Sequence, residues 1–182
     1  MFAEMRAIAR AHIRGADYCF QNDPEIVPGD PIRVPDADVE GRLGNTNWCR
    51  CGNCVDMPTV DESLCCREIH NFQQFLDQER KCITHNQDML RHCLDSHLLE
   101  FMIKFRGRTS ARTFRIHYNR EMRKAAYRAF TTWTHGFLGA NLRIPIPSCV
   151  VHLVRSTFPD PQGQYMGFFW AEDYPAEHMA LH

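Results

Sequence analysis

No stretch of this chain strings together the roughly 18 to 20 apolar residues that a membrane-spanning helix needs. The opening residues, MFAEMRAIARAHIRGADYCF, lack the continuous apolar core of a secretory signal. Glu4, Asp17 and the scarcity of serine there argue equally against a mitochondrial transit peptide. There is no internal repeat, no low-complexity tract, no P-loop and no other catalytic signature. Charge bias is lacking too: the formal net charge is -1 at pH 7, which speaks against general coating of nucleic acid. These absences lead to the expectation of a soluble, cytoplasmic protein with no membrane span. At 182 residues it suits one domain, or one domain with an appended segment. An apolar content of 44% is enough for a core and excludes wholesale disorder.

Cysteine, by contrast, is plentiful. Nine cysteines, an odd number in a reducing compartment, point to metal rather than to disulfides. Residues 47 to 66, NWCRCGNCVDMPTVDESLCC, hold five of them. Cys51 and Cys54 have zinc-knuckle spacing on a glycine-containing turn. A redox pair shares that spacing but needs a strand–CxxC–helix context, which is missing here. Cys65 and Cys66 are direct neighbours, and consecutive side chains diverge, so they fit poorly on one tetrahedral ion and naturally on two. Two four-coordinate zinc ions sharing one thiolate need seven ligands. Cys49, Cys51, Cys54, Cys65, Cys66 and Cys82 supply six, and Cys149 in PIPSCVV is the best distant seventh. One four-cysteine site with spare thiols is the alternative. His70, His85 and His92 are weaker substitutes, each more simply read as surface or core histidines. Cys19 lies in the N-terminal segment and Cys93 on an apolar helix stripe, where a thiol acts as a small hydrophobe. A site closed by thiolates leaves no position for substrate, so the metal should be structural and the protein not an enzyme.

The remaining sequence reads as predominantly α, with a Cys-rich irregular region and room for a few short strands. Phe2, Met5, Ile8, Ala9, His12 and Ile13 recur at helical spacing. Residues 21 to 47, with four prolines and three glycines, have linker composition. The division is therefore 1–45 as helix plus linker, 46–170 as the zinc-binding domain and 171–182 as a tail. Within the domain, Asp61 or Ser63 would cap a helix from about Leu64 to Leu76, with Ile69, Phe72, Phe75 and Leu76 inward. A long helix follows Cys82, its stripe Leu90, Leu94, Leu98, Phe101 and Phe105 broadened by Met89, Cys93, His97 and Met102. After the loop GRTSART, a second long helix begins near Tyr118 with Met122, Ala126, Ala129, Phe130, Trp133 and Phe137 inward and Gly136 near its end. SCVVHLVRSTF is compatible with a strand or a short helix. Between Lys104 and Arg128 stand nine Lys or Arg opposed only by Glu121, a basic face suited to an anionic ligand or simply to solvent.

The segments WCRCGNC, CCRE, CIT, AAYRAFTTW, IPSC and FPDPQGQYMGF, in that order, resemble the cytoplasmic ballast domain of the ATP-gated purinergic receptor channels of subtype seven. The likeness covers about residues 48 to 168, whereas the first 45 residues offer no motif of that kind. It implies a dinuclear zinc centre on the seven cysteines named above and a guanine-nucleotide site, for GDP or GTP, beside a basic helix. Arg123 and Tyr127 match the nucleotide-contacting residues, Lys124 replaces a histidine, and backbone contacts would fall at Ile144 and Ile146. Val151 in place of an arginine and Asp160 in place of a lysine weaken that implied phosphate contact by plain Coulomb repulsion. The channel itself is not implied: the resemblance is to the intracellular module, here read as freestanding. Two rival expectations accompany this one. A nucleotide hydrolase would need a general base or magnesium-binding carboxylate beside Arg123. A zinc-dependent nucleic-acid-binding or protein-interaction module would use residues 104 to 128, with Phe105, Phe114, Tyr118 and Tyr127 interleaved.

Overall fold

The computed structural model describes residues 41–77, 81–107, 109–136 and 143–170. The expected N-terminal helix, Cys19, Phe137 and the C-terminal tail lie outside these residues. Among the described residues five α-helices carry the body: α1 (Gln87–Leu94), α2 (Ser96–Arg106), α3 (Ala111–Ile116), α4 (Tyr118–His135) and α5 (Ser148–Thr157). Two 3-10 turns, His70–Phe75 and Ile83–His85, precede them. The protein is predominantly α, and the described residues contain no strand; SCVVHLVRST is helical, led by Pro147 at the N-cap position. No helix among the described residues is long and apolar enough to cross a membrane.

Helix α4 is the axis against which α1, α2, α3, α5 and the 3-10 turn His70–Phe75 all pack. Met122, Ala126, Ala129 and Phe130 recur at helical spacing and are buried, as the sequence predicts. Small alanines let neighbouring helices approach, and the aromatics fill the space between them. Phe72 meets Phe130 edge-on at 5.6 Å, and Phe75 lies 4.4 Å from Trp133. Gly136, at φ +71°, ends the helix in a conformation that a β-carbon would disfavour.

Two expected helices take a different form. The stretch expected as a helix from Leu64 to Leu76 is a series of turns, helical only as the short 3-10 segment. The Glu68 carboxylate accepts the Cys65 amide hydrogen at 2.8 Å, and Cys65 and Cys66 must aim apart, so local bonds displace the helical ladder. Ile69 and Phe72 are nonetheless buried. The expected long helix after Cys82 splits at Asp95, whose carboxylate caps α2 by accepting from His97 and Leu98 at 2.8 and 3.1 Å. That break resets the helical phase. Met89 and Cys93, ahead of the break, are buried as expected, but in α2 Leu99 becomes the buried position, while His97 is exposed and Phe101 and Phe105 stand out at 63% and 82% exposure. Part of the loop GRTSART is also helical: Ser110 accepts the Thr113 amide hydrogen at 3.1 Å and starts α3.

Candidate metal centre

Seven cysteines converge where the irregular N-terminal loops meet the helical body. Their sulfur atoms form two groups of four, Cys49, Cys51, Cys54 and Cys65 in one, Cys51, Cys66, Cys82 and Cys149 in the other, all within 4.8 Å of one another in each group. Cys51 belongs to both. Its Sγ lies 3.7 Å from that of Cys49 and 3.6 Å from that of Cys54, and Cys66 lies 3.9 Å from Cys82. A zinc–sulfur bond of about 2.3 Å places the corners of a tetrahedron about 3.8 Å apart, so these spacings fit one ion per group. An all-sulfur donor set without carboxylates suits zinc, or iron as the alternative, and disfavours calcium or magnesium. All eight described cysteines are free of disulfides.

Each sulfur is placed by an identifiable piece of chain. Gly52, at φ +80°, makes the turn that brings Cys51 and Cys54 together, and its amide donates to Cys49 Sγ at 3.2 Å. The Arg50 amide donates to Cys65 Sγ at 3.4 Å. Thr84 Oγ1 donates to Cys82 Sγ at 3.0 Å from the 3-10 turn behind it. Cys149 sits in the first turn of α5. Donors aimed at sulfur favour the thiolate form that a metal requires.

The protons are shared unevenly. Cys51 is held at about 7, below the ordinary thiol value, chiefly by hydrogen bonding from Cys149. Cys65 is drawn far down, by Cys51 first, and Cys82 likewise, by Cys149 first. Cys149 is pushed far up by its hydrogen bonds to Cys51 and the others. Thiolates this close repel one another, so the cluster cannot shed all its protons without cations between them. Cys93 stands apart: burial pushes its thiol up to about 12, consistent with a small hydrophobe. His70 and His85 are exposed, and none of the three candidate histidines joins either sulfur group.

Two supporting residues escape a sequence reading. Ser148, fully buried beside Cys149, donates to the Val55 carbonyl at 2.6 Å and accepts the Val55 amide hydrogen at 2.9 Å. Its own amide donates to the Leu64 carbonyl at 3.0 Å, so one residue ties both cysteine loops to α5. Arg42, in the stretch with linker composition, is 4% exposed. It donates to both Glu68 carboxylate oxygens, at 2.8 and 3.0 Å, and to the Ser63 carbonyl at 3.0 Å, bracing the Cys65–Cys66 turn. Only the proximity of serine to a candidate ligand hinted at the first, and nothing local marked the second.

The residues expected at a nucleotide site are on α4 and before α5, and the two cations among them, Arg123 and Lys124, are already paired. Arg123, 7% exposed, donates to the Phe158 carbonyl at 2.7 Å and to Asp160 Oδ2 at 3.2 Å, with its guanidinium 5.1 Å from the Tyr165 ring. The Asp160 carboxyl is held low, first by the Gln162 amide and also by Arg123. Lys124 pairs with Glu121 at 3.2 Å. Tyr127 is half-buried, with its phenol pushed up by desolvation, and Ile144 and Ile146 are half-buried.

Residues 12–169 match the family model described as the P2X purinoreceptor 7 intracellular domain, a span that takes in much of the N-terminal segment. P2X purinoceptor 7 of Rattus norvegicus is 27% identical over 152 residues, covering 78% of this chain and 24% of the relative. P2X purinoceptor 7 of Mus musculus is 26% identical over 161 residues, covering 81% of this chain and 24% of the relative. The chain thus spans about a quarter of the length of these relatives. It belongs to the P2X purinoreceptor 7 intracellular domain family.

Proposed function

We propose that this chain is an intracellular, non-catalytic module organised by two structural zinc ions, with Cys51 as the shared thiolate. The observation that carries this reading is the pair of four-sulfur groups with one member in common. The ions would hold Cys49, Cys51, Cys54 and Cys65 on one side and Cys51, Cys66, Cys82 and Cys149 on the other. Bound zinc would supply only coordination, joining loops that bury too little apolar surface to hold themselves to the 3-10 turn at Cys82 and to α5. With sulfur occupying every corner, the centre offers no open position for catalysis.

In this reading the domain works without a guanine nucleotide at Arg123. A phosphate arriving there would meet the Asp160 carboxylate that the guanidinium already binds, and would have to displace it. Lys124 is likewise turned to Glu121. GDP and GTP titration of zinc-loaded protein tests this part, with no saturable heat expected; tight binding lost on Arg123→Ala would refute it.

Zinc removal tests the main part. Structural zinc contributes on the order of 10 kcal/mol in small zinc-folded peptides. Stripping it with a strong chelator should therefore abolish the cooperative thermal transition of the domain. A transition unmoved by complete zinc removal would contradict a structural role.

A further inference from the structure

We propose that the outer face of α2 together with α3 docks on an anionic lipid bilayer. Of the six large apolar side chains that stand exposed among the described residues, Phe101, Phe105 and Ile116 lie here. Phe101 and Phe105 are one helical turn apart and stack on each other at 6.0 Å, away from Leu99, Met102 and Ile103, which face the core. In the same stretch of chain Arg106, Arg112 and Arg115, with Arg120 at the start of α4, are exposed, and from Phe101 to Arg120 the sequence has no Asp or Glu. The segment is gathered at the N-terminal end of α4. Tyr118 donates to Glu100 at 3.1 Å, Thr109 to Glu121 at 3.4 Å, and Phe114 packs on Tyr118 at 5.2 Å.

Charge complementarity selects the partner. A second copy would bring cation against cation, so self-association through this face is disfavoured. Nucleic acid would answer the arginines, but Ile116 has no π-face for a base and the two phenylalanines stack on each other. A bilayer rich in anionic lipid answers both features: aromatic and aliphatic side chains enter the headgroup–acyl boundary while arginines meet the headgroups. This surface uses no residue of the cysteine cluster and stands independently of the zinc reading.

The test is co-sedimentation of the zinc-loaded full chain with vesicles of phosphatidylcholine alone or mixed with phosphatidylserine. Binding should require phosphatidylserine and weaken with salt. Phe101→Ser with Phe105→Ser, and separately Arg112→Glu with Arg115→Glu, should each weaken it by about tenfold or more, with circular dichroism unchanged. Should either double variant fail to fold, Phe105→Trp serves instead, its emission shifting to the blue on phosphatidylserine vesicles alone. No binding to these vesicles, no loss in folded variants, or no emission shift overturns the proposal. So does oligonucleotide binding that is tighter than vesicle binding and survives the phenylalanine replacements, which would assign the face to nucleic acid.

Discussion

Cys65 and Cys66 share a peptide bond, yet their sulfur atoms belong to different groups, the first with Cys49, Cys51 and Cys54, the second with Cys51, Cys82 and Cys149. Adjacent side chains diverge, and the turn around them, pinned by Glu68, converts that divergence into two addresses. The single variants should therefore behave alike in number and differently in place. Cys65→Ser and Cys66→Ser should each lower zinc content from two toward one per chain, whereas Cys93→Ala should leave it at two. Metal analysis of the three variants checks this; loss of zinc from Cys93→Ala would mean that the ligands have been assigned wrongly.

Ser148 makes both hydrogen bonds of Val55 from inside the protein, and removing its hydroxyl leaves a half-buried donor and acceptor without that partner. Ser148→Ala should cost about 1–3 kcal/mol in denaturant unfolding and make zinc easier to strip. An effect within a few tenths of a kcal/mol would show that the loops are held elsewhere.

The Arg42–Glu68 pair is nearly water-free on the arginine side and reaches the backbone of the cysteine turn. Removing the arginine leaves the half-buried Glu68 carboxylate without its counter-ion, so Arg42→Ala should destabilise by about 1–3 kcal/mol. Truncation to residue 46, which removes the arginine, should do comparable damage. A fully stable fragment starting there would count against this role for Arg42.

How much of this was legible beforehand depends on the range of the interaction. The clustering of the cysteines between residues 49 and 66 and the inward face of α4 are legible because sulfur spacing and a 3.6-residue period are local signals. The break at Asp95 is not legible in the sequence, since an aspartate inside an apolar pattern looks like one more exposed position until its carboxylate caps the next helix. That break is why Phe101 and Phe105, expected inward, stand exposed, while Met102 keeps its expected place against the core. The inward turn of Arg123 depended on Asp160, thirty-seven residues away, and no periodicity reports such a partner. The bracing by Arg42 was hidden for the same reason, inside a stretch whose prolines and glycines suggest a linker.

Asp160 also yields a prediction about ligands. Asp160→Lys removes the internal counter-ion of Arg123 and adds a cation beside it. Guanine-nucleotide binding, absent in the native chain on this account, should appear in the variant by calorimetry. Equal affinity in both proteins would show that Asp160 does not guard the site.

Cys93 predicts a pH effect with a definite sign. Its thiol is raised from 9.0 to about 12 by burial, so the folded state holds the proton where the unfolded state has lost it. Stability from this group is full below pH 9 and falls as pH rises toward 12. Cys93→Ala should lose some stability at neutral pH through a small cavity, yet decline less steeply over that alkaline window. Parallel pH curves for the two proteins would contradict the assignment.

The most direct test of the central claim is elemental analysis of purified native protein, counting every transition metal per chain. Two zinc ions per chain, with negligible iron, is the predicted result. A value of one would remove the shared thiolate at Cys51, and a value of zero would contradict the account altogether.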